Sequence, residues 1–410
     1  MWINQIFNLA RLGPELGLTM VEPKRWRLPA LAAALLVVAL GATLMVYYLL
    51  AAIGAVASGD FQVYRGAVQA MLAGQDLYSF EIHLDGFTLP FTYPPFAALV
   101  MVPVALLPQN LAAVLEVLGQ YLLLALLAYL VSRPTPMTAR GWTIERILLL
   151  ALGFVALGWS DPVMHSISLG QVSLALTALV LFDFVVVPPR WRGVLTGIAA
   201  AIKLTPLVFI GYLLVTRQWR QAANATGAAV AATALGFLVL PTESLRYWTS
   251  LLWQTDRVGD IAATRNKSLF GLLEHLGVDG QWQRPLWLVL VVVVTAVGLW
   301  QAYRRHRRGE ELAAVLIIGI LSALISPISW PHHLVWLPLT GLYLVYRGSS
   351  WARVIGLLVL LTCWTMMPTI SYLSTGVGWL DLIGDGVVVV ATLLTVFGLP
   401  RPDTTDSEVS

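Results

Sequence analysis

Long uninterrupted apolar blocks are the feature that most constrains the fold of this chain. Leu28 to Val56, Leu111 to Val131 and Pro285 to Trp300 are three of them. Such blocks approach the roughly 20 residues that a helix needs to cross about 30 Å of hydrocarbon. Only 11% of the 410 residues are charged, against roughly a quarter in a soluble domain. The sequence therefore predicts an all-α polytopic membrane protein and excludes a water-soluble globule.

Basic residues collect in short clusters at the ends of the apolar blocks. Because cytoplasmic loops are enriched in Lys and Arg, these clusters predict both chain ends inside and about 10 to 12 transmembrane or re-entrant helices. We expect a cytoplasmic segment at 1–27, one transmembrane domain at 28–399 and a disordered cytoplasmic tail at 400–410. The loops expected to face outward are 58–93, 159–168, 241–284, 326–333 and 368–385. The basic residues do not form one face, so no nucleic-acid partner is expected.

Two apolar segments do not read as simple spans. Pro94 to Leu107 is short and flanked by proline. Trp191 to Thr216 has arginines near both ends, and Lys203 and Pro206 interrupt its middle. A helix pair that enters the membrane and returns would reconcile these charges with the length. Broken helices at membrane depth line protein or a watery cavity, so this segment indicates a site.

The first outward loop carries a carboxylate at the membrane boundary, Asp60. One interpretation is a helix-end carboxylate; the other is a general base, since desolvation there can tune an acid toward the working pH. Apolar positions from Phe61 to Leu72 have helical spacing, which predicts a helix lying in the interface. Tyr64 and Tyr93 then suit either the aromatic belt or contacts with a sugar ring, as substrate-binding residues.

A lysine and two histidines are the next candidates. A charge at the depth of Lys203 costs at least about 2.5 kcal/mol, which indicates a function unless the side chain reaches an interface. His332 and His333 follow a proline-rich break and are interpreted as donors to a phosphate or a sugar hydroxyl. Adjacent histidines point to different faces of a helix, so no metal site is predicted.

The remaining candidates lie in other outward loops. Arg257 and Arg265 are expected to clamp a phosphate, because the arginine fork matches two phosphate oxygens. The alternative is a solvated face that contacts lipid headgroups. Asn266 and Gln171 are predicted to bind substrate in the same cavity. Motifs for binding a soluble nucleotide, G-x-x-x-x-G-K-[ST] and G-x-G-x-x-G, are absent from the sequence.

An ordered set of motifs then resembles glycosyltransferase family 87 of the GT-C superfamily. The motifs run from about Ser58 to Pro338 and read GDFQVYRGAVQAMLAGQDLY, FTYPPFAALVMVPVALLP, SLGQVSLALTALVLFD, GIAAAIKLTPLVF, RNKSLFGLL and SPISWPHHLVW. Within the family, the chain is most similar to actinobacterial α-1,2-mannosyltransferases that use polyprenol-phosphate-mannose. The resemblance implies a GT-C fold with interfacial helices in the first outward loop and a catalytic acid that matches Asp60.

The resemblance also implies partners and a location. We expect a polyprenyl-phosphate sugar donor, a glycolipid acceptor of the phosphatidylinositol mannoside type, surrounding membrane lipids and no cofactor. The enzyme would be inverting and multi-pass in the plasma membrane, with its active site on the extracytoplasmic side. Two alternatives stay open: an arabinofuranosyltransferase that uses polyprenol-phosphate-arabinose, and a secondary transporter, which would also have many spans and broken helices.

Overall fold

The computed structural model describes residues 59–84, 87–132, 144–254, 257–260, 263–278, 280–365 and 384–400, with isolated positions between 32 and 50. The predicted N-terminal segment, most of the first apolar block, most of the 368–385 loop and all but the first residue of the predicted tail lie outside these ranges. The described chain is almost entirely helical, which confirms the predicted all-α class. The domain boundaries stay predictions.

Helices follow one another with short connections. In the first half of the described chain they are α1 (Asp60–Leu72), α2 (Pro95–Ala105), α3 (Gln109–Ser132), α4 (Ile144–Gly158), α5 (Asp161–Leu169), α6 (Ser173–Val185), α7 (Val194–Ile202) and α8 (Leu207–Val215). In the second half they are α9 (Trp219–Val239), α10 (Pro241–Thr249), α11 (Leu269–His275), α12 (Gln283–His306), α13 (Glu311–Leu324), α14 (Trp336–Arg347), α15 (Ser350–Thr365) and α16 (Gly386–Phe397). A 3-10 helix, Pro331–Val335, leads directly into α14.

Within the described ranges, three helices are each long and apolar enough to cross a membrane. They are α3, α9 and α12, with mean hydropathies of 2.1, 1.5 and 2.0. The pair α4 and α5 passes the same test if it is one span, bent by 72° at the break before α5, which has Pro162 in its first turn. Shorter apolar helices, including α6, α13 and α15, surround them. These helices make the chain a polytopic membrane protein.

The segment predicted to enter and return is broken where the sequence indicated. Helix α7 ends at Ile202, Lys203 has extended backbone (φ −146°, ψ 134°), and α8 begins at Leu207. Asn224 of α9 donates from Nδ2 to the backbone carbonyls of Arg190 (3.0 Å) and Arg192 (2.9 Å). The two ends of the segment therefore lie together at the start of α9, and the break lies at the opposite end. We call this α7–α8 unit the lysine hairpin.

A buried carboxylate fixes the start of the lysine hairpin. Asp183 Oδ2 accepts hydrogen bonds from the Gly193 N–H (2.8 Å), the Thr196 N–H (3.1 Å) and the Thr196 hydroxyl (2.6 Å). These groups belong to the first turn of α7, whose backbone N–H groups have no partner within the helix. Asp183 thus ties α6 to α7 and determines where the far end of α7, with Lys203, is placed.

The loop predicted to face outward first, 58–93, contains one feature that the sequence analysis missed. Strands β1 (Glu81–Leu84) and β2 (Phe87–Pro90) form an antiparallel pair, with Leu84 opposite Phe87. The sequence carries Asp85-Gly86 between them, and this dipeptide is a strong signal for a two-residue hairpin turn. The helix predicted for Phe61 to Leu72 is present as α1, one residue longer at its start.

The core of the molecule is centred on α13. Every residue from Ala313 to Leu324 is buried, because this helix is apolar on all sides and is enclosed by its neighbours. Helices α6, α8, α12, α14 and α16 pack against it. The site described below lies where α1, the lysine hairpin and the 3-10 helix meet this core.

Candidate functional site

Asp60 is the first residue of α1, and its carboxylate points across the fold. Oδ2 accepts a hydrogen bond from Gln171 Nε2, a residue 111 positions further along the chain. The preceding Gly59 packs closely on Leu169, since a Cβ there would lie 3.2 Å from the Leu169 Cα. The start of α1 is therefore seated on the end of α5, next to Gln171.

Gln171 joins several polar groups. Its Oε1 accepts hydrogen bonds from the Tyr64 hydroxyl (2.9 Å) and the Tyr93 hydroxyl (3.2 Å), and these two hydroxyls are 2.9 Å apart. The backbone carbonyl of Gln171 accepts from Gln120 Nε2 (2.6 Å). Gly170, with φ 64° and ψ 43°, ends α5 in the left-handed conformation that glycine adopts freely. This turn directs the Gln171 side chain toward Asp60.

Lys203 lies on the other side of Tyr93. Its Nζ is 3.4 Å from the Tyr93 hydroxyl and 2.8 Å from His333 Nε2. The break in the lysine hairpin ends α7 at Ile202, so Lys203 sits at the tip of the hairpin. A continuous set of contacts consequently connects the Asp60 carboxylate, through Gln171 and Tyr93, to the Lys203 ammonium.

The orientation of the His333 ring follows from its second nitrogen. The backbone N–H of Trp330 donates to His333 Nδ1 at 3.2 Å. A backbone N–H can only donate, so Nδ1 accepts and the ring proton is carried by Nε2. His333 Nε2 is then a donor that faces Lys203 Nζ, itself a donor. An anion oxygen lying beside both nitrogens would accept a hydrogen bond from each, which would relieve the conflict between two facing donors.

His332 lies beside this pair and is 3% exposed. Its ring meets the His333 ring edge to face, with centroids 4.6 Å apart. Within the described part of the chain, His332 Nδ1 is buried without a hydrogen-bond partner. His332 is therefore a buried imidazole with an available polar atom at the edge of the site.

Burial controls the protonation of these groups. It raises the pKa of Asp60, and the Gln171 hydrogen bond and then the charge of Lys203 partly offset that effect. Burial, followed by the charge of Lys203, lowers the pKa of His333 well below its ordinary value, which keeps the imidazole neutral near pH 7. Burial raises the pKa of Tyr93, whose hydroxyl consequently keeps its proton. The site therefore contains a carboxylate that binds a proton more readily than an ordinary aspartate, beside a lysine and a neutral histidine.

The other predicted residues are placed differently. Arg257 is half-buried, and its Nη2 donates to the Phe91 carbonyl at 3.5 Å, two residues from Tyr93. Arg265 is exposed. The Asn266 side chain is fully buried and binds backbone groups, among them the carbonyl of Pro327 (3.1 Å). The structure therefore brings Asp60, Tyr64, Tyr93, Gln171, Lys203 and His333 into one network, with His332 and Arg257 at its margins.

A small cavity lined by both polar and apolar side chains lies beside Lys203. Its volume is about 30 Å³, and its lining includes Lys203, His333, Ser173, Thr177, Thr205 and Ser322. This volume is close to that of one water molecule and far below that of a sugar.

Two polar residues of the site were missed by sequence reasoning. Gln120 Nε2 also donates to Glu116 Oε1 (2.7 Å), so this i, i+4 pair on α3 extends the network from Gln171. Both residues lie within an otherwise apolar span, which is a recognised indication of function in membrane helices.

Among the described residues, no group of three His, Cys, Asp or Glu side chains is arranged to hold a metal ion.

Comparisons with known proteins agree with this architecture. The sequence profile of glycosyltransferase family 87 matches residues 91–327, more than half of the chain. A polyprenol-phosphate-mannose-dependent α-(1-2)-phosphatidylinositol pentamannoside mannosyltransferase of Mycolicibacterium smegmatis is 33% identical over 398 residues, 91% of this chain and 92% of the relative. A polyprenol-phosphate-mannose-dependent α-(1-2)-phosphatidylinositol mannoside mannosyltransferase of the same organism is 31% identical over 83% of each chain. The protein of that name from Mycobacterium tuberculosis is 33% identical over 68% of each chain. No solved structure matches the chain significantly.

Proposed function

The chain belongs to glycosyltransferase family 87, and from this premise we propose that it transfers mannose from polyprenol-phosphate-mannose to a phosphatidylinositol mannoside. Membership makes it a glycosyltransferase, and its apolar helices make it a membrane protein. The donor and the acceptor class are those named for its relatives. We further propose an α-1,2 linkage formed with inversion at the extracytoplasmic face of the plasma membrane.

The observation that carries this proposal is the hydrogen-bonded connection between Asp60 and the Lys203–His333 pair. Glycosyl transfer from a lipid phosphate needs a base for the acceptor hydroxyl and cations for the departing phosphate. The base and the phosphate-binding groups both have to lie within a few ångströms of the sugar that is transferred. The network connects a carboxylate to two nitrogen donors through Gln171 and Tyr93, by successive contacts of 3.4 Å or less.

Each residue has a role in the proposed step. The acceptor 2-hydroxyl oxygen attacks the anomeric carbon of mannose, and Asp60 takes the hydroxyl proton. The bond between that carbon and the phosphate oxygen breaks, and its electron pair leaves with the polyprenyl phosphate. Lys203 and His333 Nε2 donate to the phosphate as its charge grows, with His332 and Arg257 at its edge. A single displacement of a β-linked donor yields an α-linked product.

The amide of Gln171 is bound by protein groups at both ends, so we assign it to holding Asp60 and the hydroxyls of Tyr64 and Tyr93. The rings of Tyr64 and Tyr93 pack edge to face with centroids 5.2 Å apart, and we propose that a sugar ring would contact this pair. Arg265, which is exposed, is assigned to lipid headgroups or the outer part of the carrier phosphate.

Purified protein tests the proposal. It is incubated with radiolabelled polyprenol-phosphate-mannose and a phosphatidylinositol mannoside, and the lipids are separated. We expect a labelled glycolipid whose label is released by an α-mannosidase. A parallel incubation with polyprenol-phosphate-arabinose should give none. Transfer of arabinose alone, or release of labelled product by a β-mannosidase only, would overturn the assignment.

Sidedness has its own test in intact cells. In a Cys363→Ser background, Gln75→Cys should react with a membrane-impermeant maleimide, because Gln75 is exposed in the loop that follows α1. Arg307→Cys, exposed beside the basic end of α12, serves as the cytoplasmic control and should react only after permeabilisation. The reverse pattern would place the site inside the cell.

A further inference from the structure

The residues just before α11 are hydrogen-bonded to the residues just before the 3-10 helix. Asn266 Nδ2 donates to the Pro327 carbonyl (3.1 Å), and the Ser329 N–H donates to Asn266 Oδ1 (2.9 Å). The Lys267 N–H donates to the Ser329 carbonyl (2.7 Å). The Ser268 hydroxyl donates to the Pro327 carbonyl (3.0 Å). These hydrogen bonds hold two loops that are about 60 residues apart in sequence in a fixed position relative to each other.

Asn266 is enclosed from the side of α11 as well. A Cβ at Gly271 would lie 2.2 Å from the Asn266 carbonyl oxygen and 2.8 Å from its Cγ, so only glycine fits there. The Gly271 N–H donates to the Ser268 hydroxyl (3.0 Å), which caps α11. The first turn of α11 therefore packs directly on the Asn266 amide and restricts its position.

The adjacent lysine anchors this assembly to the last helix. Lys267 Nζ lies 2.9 Å from Asp385 Oδ1, and His275 Nδ1 lies 2.7 Å from Asp385 Oδ2. Asp385 is 1% exposed and immediately precedes α16. His275 Nε2 donates to the Ala263 carbonyl (3.2 Å), because a carbonyl can only accept. We call these residues the closed cluster: Lys267, His275 and Asp385.

We propose that Asn266 is a positioning residue that orients His333 and does not contact substrate; this rests on the proposed function of Lys203 and His333. Asn266 binds the N–H of Ser329, and the next residue, Trp330, donates its own N–H to His333 Nδ1. That contact sets the ring so that Nε2 faces Lys203. Asn266 thereby acts on the phosphate-binding pair through two backbone N–H groups.

The burial of Asn266 favours this role over direct substrate binding. The side chain is 0% exposed, its oxygen accepts two backbone N–H groups, from Ser329 and Ser268, and its nitrogen donates to a carbonyl. A substrate contact would have to break one of these bonds and open the packing with Gly271. Orientation errors near 1 Å can lower a rate by about 10²-fold, so a positioning residue has measurable consequences.

A double-mutant cycle tests the inference with the full-length protein in detergent. Asn266→Ala and His333→Ala are each expected to lower kcat/KM for polyprenol-phosphate-mannose by about 10- to 100-fold. Because both act on the same contact, Asn266→Ala should add less than about 3-fold in the His333→Ala background. The proposal would be overturned if the loss of kcat/KM in the double variant equalled the product of the two single losses, or if Asn266→Ala had normal activity. Should the alanine variant fail to fold, Asn266→Ser takes its place in the cycle, because its shorter side chain also loses the acceptor for the Ser329 N–H.

Asn224→Ala is the matched control. It also deletes an amide that donates to backbone carbonyls, those of Arg190 and Arg192, but at the opposite end of the lysine hairpin. We expect it to keep activity within about 3-fold, because it shares no partner with His333. A loss as large as that of Asn266→Ala would show that any broken backbone contact has the same effect, and the positioning role would fail.

A readout that does not need turnover separates this inference from the proposed function. Nitrogen NMR of histidine-labelled protein distinguishes the two tautomers, and His333→Ala identifies the His333 signals among six histidines. Wild type and Asn224→Ala should show the proton on Nε2, and Asn266→Ala or Asn266→Ser should shift these signals. If the His333 signals of the Asn266 variants equal those of wild type, the inference is wrong. If wild type transfers no mannose, the proposed function alone is wrong.

Discussion

Two regions of this protein each contain a lysine, a histidine and an aspartate, but their contacts differ. In the closed cluster, Asp385 lies within 2.9 Å of Lys267 Nζ and 2.7 Å of His275 Nδ1. In the second region, which we call the open cluster (Asp60, Lys203 and His333), Lys203 lies 2.8 Å from His333 and is separated from Asp60 by Gln171 and Tyr93.

The difference shows which group is available for a ligand. In the closed cluster the carboxylate contacts both the lysine and the histidine directly, and removing one partner leaves a buried polar group without its contact. In the open cluster the carboxylate is kept apart from the lysine and the histidine, so each can meet a different part of one substrate. The same three residue types therefore stabilise the fold in one region and form the proposed active site in the other.

Removal of the base should have the largest effect. Asp60→Asn keeps the shape and the hydrogen bond with Gln171 after an amide flip but cannot take up a proton. We expect turnover to fall by about 10² to 10⁴-fold, measured as initial rates in membranes with equal expression. Asp76→Asn is the control, because Asp76 lies in the same loop but pairs with Arg246. If the two variants lose activity equally, Asp60 is no more catalytic than Asp76.

The two lysines should respond in opposite ways to the same substitution. Lys203→Met should lower kcat by about 10² to 10³-fold and leave the Tm in detergent unchanged or raised, because it removes a desolvated cation without stranding a directly paired acid. Lys267→Met leaves Asp385 with one partner fewer and should destabilise the protein by about 3–5 kcal/mol. A large drop in Tm for Lys203→Met, or normal stability for Lys267→Met, would break the distinction between the clusters.

Sequence patterns predicted the local elements on which the open cluster depends. Apolar spacing predicted α1, and the Lys203 to Pro206 break predicted the hairpin tip. The sequence could not predict the pairing of Gln171 with Asp60 over 111 residues, because such contacts depend on how distant helices pack. The depth of Lys203 in an apolar segment singled it out, but the pairing of Lys267 could not be predicted, since its carboxylate partner lies 118 residues away.

The pH dependence of activity should report the environment of Asp60. The base works when ionised, so activity falls as the pH falls through the pKa of Asp60. Burial raises this pKa, and the acidic limb of kcat/KM should therefore lie at a higher pH than for an ordinary aspartate. Gln171→Ala removes the hydrogen bond that lowers the pKa and should move the limb further up. If the acidic limb of kcat/KM in Gln171→Ala lies at the same pH as in wild type or at a lower pH, a group other than Asp60 controls it.

Metal removal should have the smallest effect, and it decides whether the open cluster needs a further cation. Lys203 Nζ and His333 Nε2 are two donors directed at one position, and a divalent ion would supply the same stabilisation of a departing phosphate. If the side chains supply this stabilisation, exhaustive EDTA treatment should change the rate by less than about 2-fold, because none of the stabilising interactions has been removed.

The assay is repeated with Mg²⁺ or Mn²⁺ added back, and with Lys203→Met as the matched variant. Activity of wild type that is lost in EDTA and restored only by these ions would mean that a metal holds the phosphate. Lys203 and His333 would then resemble the closed cluster in function, as groups that support the fold around the reacting atoms.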